Sequence, residues 1–229
     1  MPSIGWNRRW AMDLRRFLAS KESDYYGQQW GDPRLSGWRY WITKLRHGKR
    51  IPGDLSRVVK CYIRPYVDEQ SVVLEIGAGG GRWTQFLTAA RELHLVELNP
   101  QFFPYLAERF AAVLPRIHFH ETTGYELGAV PPASVDFVFS FGTFGHLDPS
   151  GIDLYLSEIR RVLKDGGTAV IHYADRTKRF FRDLDERELE AFSVMDRKTM
   201  EDLLSRHSLR VQEHEIRLLN HSNIVMFGK

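Results

Sequence analysis

The chain has 229 residues and a mass of 26.7 kDa, enough for one substantial core and too little for two independent ones. Hydrophobic residues at 43% and charged residues at 27% exclude a disordered, collagen-like or coiled-coil chain, and a single cysteine, Cys61, excludes an intrachain disulfide and a thiolate zinc cage. No apolar run approaches the ~18 residues of a membrane helix, and residues 1–20 lack a signal-peptide stretch, so the expected location is the cytoplasm.

The overall charge of +3 hides two unlike regions. Residues 1–66 carry 14 Lys and Arg against 5 Asp and Glu, a net of +9, and five of the six tryptophans. Residues 67–229 carry a net of −6. A basic, aromatic-rich arm can serve a nucleic acid, an acidic substrate, or a helical layer with a solvated face.

In chain order, Trp6, Trp10, Phe17 and Leu18 recur at helical spacing. Gly27 and Gly31-Asp32-Pro33 interrupt, and a second helix follows with Trp38, Trp41, Ile42 and Leu45 on one face and most of its cations off it. Pro52 and Asp54 open a third helix through Val58, Val59 and Ile63. From Ser71 the texture changes to short apolar runs, 72–74, 93–96, 117–119, 135–141 and 168–172, read as buried strands. Helical stretches over 82–90, 101–113 and 151–163 alternate with them. A helix over 197–207 and two strands, 209–218 and 223–227, joined at Asn220-His221-Ser222, complete the chain. The rhythm predicts an α/β fold: a Rossmann-like, mainly parallel seven-stranded sheet with helices on both faces, an antiparallel C-terminal strand pair and added N-terminal helices.

The strongest local signal is Val72-Val73-Leu74-Glu75-Ile76-Gly77-Ala78-Gly79-Gly80-Gly81-Arg82. A strand runs into a glycine loop, the place where an open parallel sheet accepts a nucleotide-like ligand. A Walker loop is excluded by the missing Gly-Lys-Ser/Thr, and a dinucleotide fingerprint is weakened by Arg82 where a small residue is needed. The remaining pattern, Glu75-x-Gly77-x-Gly79-x-Gly81, resembles the first motif of the class I S-adenosylmethionine (SAM)-dependent methyltransferases, of the small-molecule and sugar type. Glu97, about 20 residues past the loop at the end of the second strand, is suited to both hydroxyls of a ribose. Ser134–Asp148 resembles the family's fourth motif, and Ile159-Arg160-Arg161-Val162-Leu163-Lys164-Asp165-Gly166-Gly167 its helix and tight turn before the fifth strand.

The resemblance implies SAM as cofactor, with S-adenosylhomocysteine as product. It implies Glu75, Gly77, Ala78, Gly79, Gly81, Glu97, Leu98, Glu121, Thr123, Gly124, Ser140, Phe141 and Gly142 as the residues that hold it. The adenine amino group is left between Glu121 and Thr123, because Thr123 stands where the family has an acid. Methyl transfer is an in-line displacement, so few catalytic groups are needed beyond alignment in a dry pocket. A hydroxyl acceptor needs a base, and His146, after the fourth strand, is the first candidate, with Asp175 the second. His172, alternating on its strand, reads as a satisfied core or rim histidine. No His, Asp or Glu grouping has metal-ligand spacing.

Residues 1–66 are expected to form a helical lid and substrate segment, residues 67–229 the SAM-binding core, and 177–194 a substrate-side insertion, within one compact unit. Tyr26, Trp30, Trp38, Trp41 and Tyr173 are the expected acceptor contacts. The leading function is methyl transfer to a small molecule or saccharide at oxygen, with the positive arm hinting at an anionic acceptor and no nucleic acid partner. Alternatives are an RNA or protein methyltransferase and a non-catalytic SAM-binding protein; the oligomeric state is not encoded in any motif.

Overall fold

The computed structural model describes residues 32–47 and 53–229. The first expected helix, Tyr26 and Trp30 lie outside the described residues. Helix α1, Gly37–His47, is the expected second helix. Helix α2, Leu55–Val58, is capped by the Asp54 side chain, which accepts from the Ser56 amide, and continues through a wide turn, Val59–Ile63, and a tight one, Arg64–Tyr66. Pro65 lacks the amide needed to extend the ladder, which accounts for the stop.

Seven strands follow: β1 Val72–Ile76, β2 Glu92–Glu97, β3 Ile117–Glu121, β4 Val135–Ser140, β5 Leu163–Ala174, β6 Arg210–Glu215 and β7 Ser222–Gly228. Their order in the sheet is β3-β2-β1-β4-β5-β7-β6. The first five are parallel to one another, and β7 runs antiparallel to both β5 and β6. The order reverses between β1 and β4, which opens a crevice at the carboxyl ends of those two strands. Helices α3, Phe103–Arg109, α4, Pro149–Val162, α5, Glu186–Leu189, and α6, Arg197–Arg206, complete the layers.

Alternation along the strands sorts the core onto two faces. Leu74, Ile76, Val138 and Ile171 pack with Phe144, Ile152, Tyr155, Leu156 and Ile159 on the face that α4 covers. The buried positions of α4 recur at three- and four-residue spacing, and Asp148 caps it by accepting from the Gly151 amide at 2.7 Å. Val73, Phe137, Phe139 and Val170 face the other way, against Leu55, Val58, Tyr62, Ile63 and Trp83. Tyr66 stacks on Phe137 with ring centroids 5.1 Å apart, and the Tyr62 hydroxyl bonds Glu213 on β6. Residues 55–66 are therefore packed into the core against the sheet.

Two expectations are corrected. Residues 82–90 form no α-helix: Phe86, Leu87 and Ala90 each donate to the carbonyl three residues back, giving tight turns around Thr84–Phe86. Thr84 spends its hydroxyl on Glu75 and Trp83 is buried against Phe141, so tertiary bonds override a stretch rich in β-branched and aromatic residues. The expected helix over 101–113 is split into α3 between two tight turns, Pro100–Phe102 and Ala111–Arg116, where Pro104 and Pro115 interrupt amide donation.

Candidate functional site

The glycine loop leaves β1 at the crevice. Gly77, Gly79 and Gly81 have φ of 80°, 50° and 81°, a region that side chains disfavour. A Cβ at Gly77 would stand 1.9 Å from Thr143 Oγ1, and one at Gly81 would stand 2.6 Å from the Phe110 ring. The loop is braced from three sides. Gly77 donates to the Val96 carbonyl at 2.8 Å, Arg109 of α3 donates to the Gly80 carbonyl at 2.5 Å, and Ala78 is buried beneath. Glu75 does not face the crevice as a free acceptor: its carboxylate takes the Thr84 hydroxyl at 2.6 Å, and burial pushes its pKa up to about 8. It ties the strand to the turn after the loop.

Glu97 ends β2 and is buried. One carboxylate oxygen accepts the Gly79 amide at 2.8 Å and the other the Asn99 amide at 3.1 Å. Burial raises its pKa while those amides oppose the rise. Each oxygen retains a further lone pair, so the pair can still receive two hydroxyl donors. Leu98, next in the chain, is exposed. At the end of β3, Glu121 is exposed, whereas Thr123 gives its amide and hydroxyl to Glu126 at 2.7 and 2.6 Å. Glu126 also takes the Tyr125 amide, and the Thr123 bonds hold its carboxyl below the usual range. Gly124 is fixed by donating to the Thr122 hydroxyl at 3.2 Å. Glu126 organises this turn, a role without a motif in the sequence.

On the other side of the crevice, Ser140 and Thr143 both donate to the Ile76 carbonyl, at 2.9 and 3.3 Å, so β4 and its loop clamp the residue before Gly77. Phe141 lies between Trp83, at 4.4 Å, and the His172 ring, stacked at 4.0 Å and 12°. The Gly142 amide donates to His172 Nδ1 at 3.1 Å, which leaves the proton on Nε2, bonded to Ser222 Oγ at 2.6 Å. Burial holds His172 neutral, well below its ordinary pKa. The histidine thus positions the loop after β4.

That loop continues to His146, half-buried, whose Nδ1 lies 2.5 Å from the Ala191 carbonyl. A carbonyl only accepts, so Nδ1 carries the proton, and Nε2 is then the ring's basic nitrogen. His146 borders a cleft of about 500 Å³ with Asp148, Arg176, Glu186, Glu190 and Phe192. The segment after β5 forms its far wall and is strapped to the loop by the Ser193 amide on the Gly145 carbonyl at 2.7 Å.

Asp175 is buried and fully engaged: one oxygen accepts the amide and hydroxyl of Thr177 at 3.0 and 2.7 Å, the other the Asn223 amide group at 2.7 Å. Tyr173, an expected acceptor contact, is completely buried, with its hydroxyl on His214 Nε2 at 2.6 Å and near Asn223 at 3.1 Å, and so faces the core instead. Trp38 and Trp41 lie exposed on α1, away from this cleft; Trp41 borders a different one, of about 420 Å³, with Arg57 and Arg217. Lys178, which reads as part of a solvated turn, donates to the carbonyls of Ile216, Leu219 and Ser222 at 2.6 to 2.8 Å and pins the loop before β7. Among the described residues no group of three or more His, Cys, Asp or Glu side chains could hold a metal ion.

The glycine turn after β1, the buried acid at the end of β2 and the clamped loop after β4 meet at the carboxyl edge of the sheet. Together with the strand order they define the class I SAM-dependent methyltransferase fold. Residues 73–167 match the family model described as a methyltransferase domain, which makes methyl transfer the enzyme class. The structure is similar to a SAM-dependent methyltransferase from Aquifex aeolicus, at 20% identity over 82% of this chain and 96% of that one, with a TM-score of 0.60. It is also similar to the CcbJ methyltransferase from Streptomyces caelestis, at 15% identity, 75% and 94% coverage and a TM-score of 0.60. A SAM-dependent methyltransferase from Archaeoglobus fulgidus matches at 17% identity, 83% and 99% coverage and a TM-score of 0.57.

Proposed function

We propose that this methyltransferase acts on a hydroxyl of a neutral small molecule or saccharide, with His146 as the base. The single observation that carries the reading is the His146 bond to the Ala191 carbonyl, which fixes the ring's tautomer at the edge of a cleft, in the same loop that clamps the glycine turn. When bound, SAM supplies an electrophilic sulfonium methyl. Glu97 would hold the ribose hydroxyls, the amides of the 77–81 loop the amino-acid chain, and the 121–124 turn the adenine. The loop after β4 would shield the reacting centre from water.

In this reading His146 takes the hydroxyl proton as the new bond forms, while the Ala191 carbonyl stabilises the resulting imidazolium through Nδ1. Asp175 acts by position, holding the segment that supplies Ala191. Among the described residues the cleft carries Asp148, Glu186 and Glu190 as well as Arg176, whose guanidinium donates to the Leu189 carbonyl and lies over Phe181. Glu186 and Glu190 support a neutral polyol as acceptor over a carboxylated one.

Calorimetric titration with S-adenosylhomocysteine, followed by a screen of labelled SAM against sugars and small alcohols, tests the reading. Tight cofactor binding with turnover on a neutral hydroxyl acceptor is expected. Turnover confined to amines or to carboxylated acceptors would overturn it.

A further inference from the structure

Helix α1 is amphipathic in the opposite sense to a core helix. Tyr40, at 7% exposed, faces the body of the protein, while Trp38, Trp41, Ile42 and Leu45 are 72%, 60%, 41% and 84% exposed. At 100° per residue those four fall on one continuous arc of about 100°. Lys44 flanks it on one side, with its ammonium 5.3 Å from the Trp41 ring, and Arg39 and Arg46 flank it on the other. The helix contains three Lys or Arg and no acid. At its foot, the cleft beside Tyr40 and Trp41 adds Arg57 and Arg217. The two acids there, Asp54 and Glu215, each turn an oxygen to nearby backbone amides.

We infer that α1 docks the protein on an anionic lipid surface, its apolar arc entering the boundary between headgroups and acyl chains and its flanking cations meeting lipid phosphates. A lone helix lying in that plane needs this combination of a tryptophan-bearing apolar face and a basic border without acids. A second copy of the chain fits less well, because a two-fold contact through α1 would oppose Arg39, Lys44 and Arg46 to their own equivalents. Nucleic acid fits less well too: it would use the cations and indole planes, but Ile42 and Leu45 offer it nothing to stack on. The docking is peripheral, and no helix among the described residues is long and apolar enough to cross a membrane.

The test is co-flotation of the full chain with phosphatidylcholine vesicles, with and without phosphatidylserine. Binding is expected only with phosphatidylserine, weakening as salt rises. Leu45→Ser or Trp38→Ser should weaken it about tenfold each, and Arg39→Gln, Lys44→Gln or Arg46→Gln about fivefold each. All five positions lie on the helix surface, and an unchanged urea midpoint will verify that the variants fold. No binding to phosphatidylserine vesicles would overturn the inference, as would binding indifferent to all five substitutions. So would a concentration-dependent dimer abolished by Leu45→Ser without lipid affinity, or RNA retention lost with Lys44→Gln and untouched by Leu45→Ser.

Discussion

The two sides of the crevice are built by different means. On the β1–β2 side the backbone does the work: three glycines at positive φ, and amides that converge on Glu97. On the β4–β5–β7 side, side chains distant in sequence do it. His172 joins Gly142 to Ser222, Asp175 joins Thr177 to Asn223, and Lys178 gathers three carbonyls. In the proposed reading the first side takes the cofactor, which a short backbone motif can encode. The second borders the cleft proposed for the acceptor and is assembled from long-range contacts.

The contrast predicts separable losses. His146→Gln should lower kcat by about 10²- to 10⁴-fold while leaving S-adenosylhomocysteine affinity within twofold or so; calorimetry and turnover on one preparation will measure both. A matching loss of cofactor affinity would mean that the two sides are one. Asp175→Ala should act on stability, at about 3 kcal/mol, because it strands the Thr177 and Asn223 donors in the interior. If denaturant midpoints are unchanged and only kcat falls, Asp175 is the base and not a brace. Gly77→Ala should cost about 1–3 kcal/mol through its backbone conformation alone and weaken cofactor binding further, since the new Cβ displaces Thr143 from the Ile76 carbonyl.

A further effect separates the sides by pH. His221, which packs edge-on to His172, is held down to about 4, by burial first and then by Lys178. Its unfolded pKa is near 6.5, so the unfolded chain takes up the proton first. Stability from this group is present above about pH 6.5 and declines as pH falls toward 4, by up to ~1.4 kcal/mol per pH unit. Glu75 has the opposite sign. Its folded pKa of about 8 exceeds the unfolded one, so its contribution is full below about pH 4.5 and is lost as pH rises toward 8. Urea midpoints measured against pH for the parent, His221→Gln and Glu75→Gln should show each variant losing one of these two slopes.

The sequence by itself determined the strands and their rhythm, the glycine loop, the acid at the end of β2 and the cap Asp54. These are local: strand burial shows as apolar runs, and positive φ and capping demand particular residue types at the spot where they act. Only the tertiary structure decided the rest. Residues 82–90 carry helical spacing but are held in tight turns by Glu75 and by the packing of Trp83. Tyr173 is an expected acceptor contact, yet its hydroxyl is claimed by His214, 41 positions away. Trp38, Trp41, Ile42 and Leu45 share a face in any helical reading, but which way that face turns depends on Tyr40 finding the body of the protein. Periodicity specifies which residues lie together, and it carries no information about what they meet; that depends on partners far along the chain, whose positions exist only once the sheet has formed.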